Sequence, residues 1–375
     1  MRIALLSDGI YPFVLGGMQK HSYNLLKYLS LEGHTVILYH SVPEKDILPI
    51  ELKEFSEIEM ANIQHKAFHF PELDRLPGHY LRESYKLSES YREQFLNEND
   101  PVELIYAQGF MAWAFFKKGK GSIKTPIIVN FHGLEMFQKA ASLKMKLEHF
   151  LLRSAVIYNL QKADRVISLG GKLTGILQKY VEKNKILINS IGIESNWLDN
   201  SSIENTIRKI VFIGRNERRK GIKELNKVIT GLADEIFEMH IIGPFDEKDK
   251  IKDTRVRYYG EVKAQEKVAS ILKDMDILVL PSWSEGMPTV ILEAMSKSCA
   301  IIATDVGAVS EMVDEFNGWL CEAGNVSSLQ IGFIEALTCS SEELSAKKTS
   351  SYQKVSTSYT WNKVSKELIS QIENL

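Results

Sequence analysis

The chain has 375 residues, of which 44% are hydrophobic and 25% charged, and its formal net charge is −2. This length suits two globular domains. The near-neutral net charge does not indicate a protein that binds nucleic acid. The three cysteines, Cys299, Cys321 and Cys339, lack metal-ligand spacing, which fits a reducing compartment. The first residues lack the apolar length of a signal peptide, and no apolar run is long enough to span a bilayer. We therefore expect a cytoplasmic protein.

Short apolar runs alternate with longer helical patterns, which indicates parallel sheets built from β–α–β units. The strands predicted in the first half are Arg2–Ser7, Thr35–His40, Leu104–Ala107, Ile127–Phe131, Arg165–Leu169 and Ile186–Ile188. Those predicted in the second half are Lys209–Ile213, Glu238–Ile242, Val256–Gly260, Ile277–Leu280, Ile301–Thr304 and Gly318–Leu320. Two such series predict two doubly wound domains. Because open α/β sheets bind ligands at the carboxyl ends of their strands, we expect the active site in the cleft between them.

Helical periodicity is clear at Met18–Leu31 and returns at Asn362–Ile372 near the end of the chain. The polar stretch Asn196–Arg208 separates the two series of strands and is the predicted linker. We accordingly assign 1–195 to the first domain and 196–359 to the second.

A loop with paired glycines, Gly16 and Gly17, connects the first strand to the first helix. Such glycines let a ligand approach the backbone at the start of a helix, although glycine pairs also occur in simple turns. The loop lacks the third glycine of the dinucleotide-binding pattern.

His132 follows the strand Ile127–Phe131 at its carboxyl end. A histidine at this position can hydrogen-bond a ligand hydroxyl at neutral pH, and a structural histidine is the alternative. Glu135 is a second candidate in the same loop.

A basic loop follows the strand Lys209–Ile213 and contains Arg215, Arg218, Arg219 and Lys220. An arginine and a lysine that converge on one point suit a diphosphate. The guanidinium offers a planar set of hydrogen-bond donors, and the ammonium offers a compact positive charge. They would stabilise the charge of a leaving group in place of a metal ion. A solvated basic loop is the alternative interpretation.

The strand Ile277–Leu280 runs into a tight glycine loop, and Pro288 then suits the first position of a helix. Strand, loop and helix N-terminus together form an anion site. Glu285 lies in the loop and Glu293 lies one to two turns into the helix, so the two acids can contact different ends of a ligand. A phosphate flanked by two hydroxyl-binding carboxylates describes a sugar nucleotide.

This stretch resembles the Glu-x7-Glu motif of retaining glycosyltransferases with the GT-B fold, most closely family 4, and the similarity runs from Ile3 to about Trp361. The resemblance implies an α/β architecture of two Rossmann-like domains, the first on the acceptor side and the second binding the nucleotide sugar. It implies that a final helix, 360–375, crosses back to the first domain. The implied reaction is retaining, metal-independent transfer of a hexosyl group from a UDP- or GDP-sugar to a glycan, lipid-linked or small-molecule acceptor. Surface polysaccharide or glycoconjugate biosynthesis is the implied setting.

The resemblance also assigns roles to the matching residues. The catalytic set is His132, Glu285, Arg215 and Lys220. The nucleotide sugar would bind to Gly16, Gly17, Gly286, Met287, Thr289 and Glu293. Arg218 and Arg219 are assigned to the surface. Neither a metal nor a further cofactor is expected, and Asp274-Met275-Asp276 is interpreted as structural because Asp276 precedes its strand at the end away from the cleft.

The segment Gln138–Arg153 mixes basic and apolar residues in a helical pattern. A basic amphipathic helix can lie on an anionic membrane, and members of the family that act on lipid-linked acceptors often use such a surface. The alternative to membrane binding is an ordinary surface helix, which packs its apolar face on the protein and exposes its basic face to water. We therefore expect a cytoplasmic protein with a possible peripheral contact at the inner face of the membrane. A sugar-nucleotide epimerase and a non-catalytic binding module of the same fold are the alternative functions.

Overall fold

The structure is a computed structural model that describes residues 1–44, 46, 48, 50–73, 76–98, 101–119, 123–201, 203 and 205–373. Within these ranges the chain forms two sheets in which every paired strand is parallel to its neighbours. Helices connect the strands, as the alternation of apolar runs and helical patterns predicts. None of the helices in the described part of the chain combines the length and the apolar character needed to cross a membrane.

The first sheet has seven strands in the order β3-β2-β1-β4-β5-β6-β7. Their bounds are β1 Arg2–Leu6, β2 Thr35–Val42, β3 Ile63–His69, β4 Leu104–Gln108, β5 Ile127–Asn130, β6 Arg165–Ser168 and β7 Ile186–Ile188. The accompanying helices are α1 Gly17–Leu31, α2 Glu57–Met60, α3 His79–Glu98, α4 Trp113–Lys117, α5 Leu143–Lys162 and α6 Gly171–Leu177. The sequence analysis missed β3, which pairs with β2 at the edge of this sheet.

The second sheet has six strands in the order β10-β9-β8-β11-β12-β13. Their bounds are β8 Lys209–Ile213, β9 Glu238–Ile242, β10 Val256–Gly260, β11 Ile277–Leu280, β12 Ala300–Thr304 and β13 Gly318–Cys321. The helices are α7 Ile222–Gly231, α8 Gln265–Lys273, α9 Thr289–Met295, α10 Val309–Met312, α11 Val326–Thr338, α12 Ser341–Ser358 and α13 Trp361–Ile372. Strands β11 and β12 are buried along their whole length, because helices cover both faces of the sheet.

The chain passes between the two sheets twice, at neighbouring positions. Ile193 and Thr360 form a parallel bridge, in which the Ile193 N–H donates to the Tyr359 carbonyl (2.7 Å) and the Trp361 N–H donates to the Ile193 carbonyl (3.0 Å). The final helix α13 then lies against α1, where the Trp361 ring stacks on Tyr28 with centroids 5.9 Å apart. The helix therefore returns to the first sheet after the second one is complete.

Candidate active site

The carboxylate of Glu285 lies at the centre of the site, in the loop that follows β11. Its Oε1 is 2.6 Å from the Lys220 ammonium and accepts a hydrogen bond from the Ser282 hydroxyl (2.7 Å). Its Oε2 is 3.6 Å from Nη1 of Arg219. The structure thus brings together Glu285 and Lys220, two residues that the sequence placed in separate loops.

Gly221 explains why the two loops meet. Its φ of +73° lies in the left-handed region, and a Cβ at this position would lie 1.8 Å from the carbonyl oxygen of Pro281. Only glycine allows this approach, because any side chain would both strain the backbone and overlap the neighbouring loop. The contact joins the end of β8 to the end of β11, and it fixes Lys220 beside Glu285.

The basic loop divides into three different environments. Arg215 is 69% exposed, and its Nε lies 3.0 Å from Glu217. Arg218 forms a two-pronged ion pair with Glu224 (2.8 and 2.7 Å). Arg219 is half-buried between Glu217 and Glu285. The assignment of Arg218 and Arg219 to the surface is therefore wrong, because the 3₁₀ turn 218–220 directs both side chains inward.

The helix after the loop begins one residue later than the sequence suggested. Pro288 occupies the cap position and Thr289 is the first residue of α9, so Pro288 is not in the first turn. Glu293 projects from this helix toward the first domain, where its Oε1 is 3.5 Å from the Lys20 ammonium on α1. Met287 is buried, and its sulfur accepts a hydrogen bond from the Ile191 N–H (3.2 Å). The Met287 side chain is therefore engaged within the protein.

The two domains touch where Gly286 meets the loop after β5. A Cβ on Gly286 would lie 3.0 Å from Cα of Gly133 and 3.1 Å from the His132 carbonyl oxygen. Gln138 fastens this contact, because its Nε2 donates to the carbonyls of Gly133 and Glu285 (both 2.6 Å). The sequence analysis placed Gln138 at the start of the basic segment Gln138–Arg153 and missed this contact, because no motif marks it, and the helix itself begins only at Leu143.

His132 is a neutral, oriented histidine. Its Nε2 lies 2.7 Å from Oε1 of Gln108, and Nε2 of Gln108 lies 3.1 Å from Nδ1 of His21. Burial lowers the pKa of His132 to about 3, so the ring is uncharged at pH 7. Because an amide oxygen only accepts, Nε2 of His132 carries the proton and Nδ1 is left as an acceptor. The backbone there has a φ of +54°, a strained conformation of the kind found at functional sites.

The paired glycines start α1 and lie beside a buried acid. Gly16 caps the helix and Gly17 is its first residue. A Cβ on Gly16 would lie 2.1 Å from Oε1 of Gln19, whose Nε2 donates to the Asp8 carboxylate (2.9 Å). Burial raises the pKa of Asp8 to about 6. Gln19 therefore links the glycine loop to the Asp8 carboxylate of the first domain.

Asp276 lies at the opposite end of β11 from Glu285, and its carboxylate is fully engaged. It accepts hydrogen bonds from the Lys348 ammonium (2.9 Å) and the Lys209 N–H (3.0 Å). Across the described ranges, no group of three or more His, Cys, Asp and Glu side chains is placed to hold a metal ion.

The whole arrangement is that of the GT-B class of glycosyltransferases, with two Rossmann-like domains that face each other across a cleft. The solved structure of Anabaena Alr3699/HepE in complex with UDP and glucose superimposes with a TM-score of 0.68, covers 100% of both chains and is 17% identical. That likeness shows the fold.

Sequence comparison identifies the family. The model of the group 1 glycosyl transferases matches residues 207–338, and that of glycosyltransferase family 4 matches residues 15–194. The chain therefore belongs to the family 4, group 1 glycosyltransferases. The uncharacterized glycosyltransferase MJ1178 of Methanocaldococcus jannaschii is 26% identical over 370 residues, 96% of this chain and 94% of its own. The putative teichuronic acid biosynthesis glycosyltransferase TuaC of Bacillus subtilis is 33% identical over 159 residues, 40% of this chain and 39% of its own.

Proposed function

We propose that the protein is a retaining hexosyltransferase that uses a UDP- or GDP-sugar as its donor and builds a surface polysaccharide or glycoconjugate. The pairing of Glu285 with Lys220 carries this proposal. In the reaction, Glu285 would contact hydroxyls of the donor sugar, while Lys220 and Arg215 would neutralise the departing diphosphate. The UDP and glucose bound to HepE support the donor class, and the name of TuaC supports the setting.

The remaining donor contacts follow from the same geometry. The backbone N–H groups of Gly286, Met287 and Thr289 would meet phosphate or sugar oxygens. Glu293 would bind the ribose hydroxyls in exchange for its contact with Lys20. These assignments place the diphosphate over the joined ends of β8 and β11.

Transfer with retention needs no dedicated carboxylate base. The acceptor oxygen would attack the anomeric carbon from the side of the leaving group, the bond to the phosphate oxygen would break, and that oxygen would take the acceptor's proton. Nδ1 of His132 would accept a hydrogen bond from a hydroxyl of the reacting sugar and so orient it. Lys220 and Arg215 would supply the positive charge that a metal ion provides in other enzymes.

Binding and slow hydrolysis of UDP-, GDP- and ADP-sugars test this function. We expect micromolar binding of one donor that a chelator does not affect, and about 10- to 100-fold weaker binding in the Lys220→Ala variant because a charge-assisted contact is lost. Lys223→Ala is the matched control, since Lys223 is exposed on the next helix. Unchanged binding in Lys220→Ala would refute the site, and activity restored by Mn²⁺ after chelation would refute metal independence. Release of a free sugar without an acceptor would favour an epimerase, and binding without turnover would favour a non-catalytic module.

We also propose that α5 is a membrane contact, which would bring the enzyme to a lipid-linked acceptor. Four large apolar side chains on α5 are exposed: Leu143, Leu147, Phe150 and Leu151. Their spacing places them on one side of the helix, with Lys144 and Lys146 nearby. An apolar stripe flanked by lysines suits an anionic bilayer surface.

Co-sedimentation with phosphatidylglycerol vesicles tests the contact. We expect binding at low salt that is lost in Phe150→Ser. Phe316→Ser is the matched control, because Phe316 in the second domain and Phe150 are both 68% exposed. No sedimentation of the wild-type protein at low salt would end the membrane proposal.

A further inference from the structure

Glu135 places a carboxyl group on the first-domain wall of the cleft. It starts the 3₁₀ turn after β5 and folds back over Gly133, where a Cβ would lie 2.2 and 2.6 Å from its two carboxyl oxygens. Gly133 in turn lies against Gly286, whose Cβ position is 3.0 Å from the Gly133 Cα. The Glu135 carboxyl therefore lies opposite the loop that carries Glu285.

The charges that act on Glu135 come from the other wall of the cleft. Burial raises its pKa, the neighbouring Glu285 adds to this increase, and the positive charges of Arg219 and Lys220 oppose it. The carboxyl of Glu135 is thus close enough to sense all three side chains of the second domain.

Glu135 differs from Glu285 in its partners, because its carboxylate accepts a hydrogen bond from its own backbone N–H and forms no ion pair with a described residue. Glu285 is held by Lys220 and Ser282, whereas no lysine, arginine or histidine in the described ranges forms an ion pair with Glu135. The Glu135 side chain is partly exposed, so its carboxyl can bind a ligand without breaking an ion pair.

The surroundings of Glu135 on the first domain suit a sugar. Burial and the nearby acids Asp8 and Glu135 together raise the pKa of the Tyr80 phenol. The Tyr80 ring packs edge-on against Phe110 (6.1 Å), which packs against Phe131 (5.1 Å). Two carboxyls and a phenol beside aromatic rings bind hydroxyls and C–H faces, and they repel a phosphate.

We propose that Glu135 binds the attacking hydroxyl of the acceptor, with Asp8 and Tyr80 binding its neighbouring hydroxyls, and that the acceptor therefore presents a neutral sugar ring to this wall. This inference rests on the proposed function. The acceptor O–H donates to Glu135 in the ground state, which aims the oxygen at the anomeric carbon. As the new C–O bond forms and the C–O bond to the diphosphate breaks, the proton passes to the departing phosphate oxygen.

The test compares wild type with Glu135→Gln and Glu135→Ala. The readouts are donor affinity, donor hydrolysis and transfer to p-nitrophenyl hexosides. We expect both variants to keep the donor affinity within about twofold, because Glu135 does not touch the nucleotide. Turnover should fall about 10- to 100-fold, the value of one hydrogen bond to a charged group. Glu266→Gln, an exposed change on α8, is the control and should behave as wild type.

Thermal melts separate this role from a folding defect. Glu135→Gln should melt close to the wild-type temperature, because the amide keeps the shape of a partly exposed side chain that forms no ion pair in the described ranges. If wild type consumes the donor and the Glu135 variants turn over within threefold of it, the inference about Glu135 is overturned and the proposed function stands. If wild type neither binds nor consumes a donor, the proposed function itself is overturned. For the acceptor class, methyl hexosides should inhibit wild type and not the glutamine variant. Stronger inhibition by glycerol phosphate than by any hexoside would overturn the neutral-sugar assignment.

Discussion

Gly221→Ala should separate the two loops that form the site, and its cost can be worked out from the geometry. The left-handed φ of +73° costs an alanine about 1–2 kcal/mol. The new Cβ would also lie 1.8 Å from the Pro281 carbonyl oxygen, against a practical minimum of 3.0 Å, so the loops must part by about 1 Å. Overpacking of this kind adds about 1–3 kcal/mol. The expected loss of stability is therefore about 2–5 kcal/mol.

Gly221→Ala should also lower the turnover of the protein that remains folded. A displacement of about 1 Å between Lys220 and Glu285 should lower turnover about 100-fold, since reacting groups tolerate little misplacement. Urea unfolding and donor hydrolysis measure the two effects. Gly33→Ala is the control, because Gly33 has a φ of +84° and nothing within 4 Å of its Cβ, so it incurs only the backbone strain. Equal stability of the two variants, with full turnover in Gly221→Ala, would refute this account of how the loops are joined.

Two further predictions concern the aspartates Asp276 and Asp8. Lys348→Met should destabilise the protein by about 3–5 kcal/mol in urea, because Asp276 would be left buried without its ion pair. The exposed pair of Lys363 with Glu367 is the comparison, and Lys363→Met should cost less than about 1 kcal/mol. Burial raises the pKa of Asp8 from 3.8 to about 6, so its contribution to stability is full below pH 4 and is lost as the pH rises through 6. Relative to wild type, Asp8→Asn should therefore gain up to about 3 kcal/mol between pH 4 and pH 7, and a pH-independent difference would contradict the shift.

The sequence predicted most strands of the fold because buried parallel strands are short continuous apolar runs. Strand β3, Ile63–His69, is the exception, since its residues Gln64, His65 and Lys66 are polar. An edge strand that is only partly buried needs no apolar pattern, and pairing with β2 decides its conformation. Local composition therefore could not reveal it.

The candidate site was predictable where a residue belongs to a motif and not where its position depends on a turn. Glu285, Lys220 and His132 stand at strand ends, which any doubly wound sheet gathers into one cleft. Arg219 stands in a run of charges, and only the 3₁₀ turn before Gly221 directs it toward Glu285. Gln138 links the domains through backbone carbonyls, a contact that leaves no signature in the sequence.

The two chain passages that meet at the bridge between Ile193 and Thr360 constrain how the cleft can open. If one domain rotated against the other, the axis would lie near this bridge, because the chain crosses between the sheets there twice, and displacement would grow with distance from it. Glu285 and Lys220 belong to the same domain and would travel together, whereas His132 and Gln138 would recede from them. Under the proposed function, the donor residues of the second domain would thus stay together while the first-domain wall withdraws, so a donor could bind before an acceptor is in place.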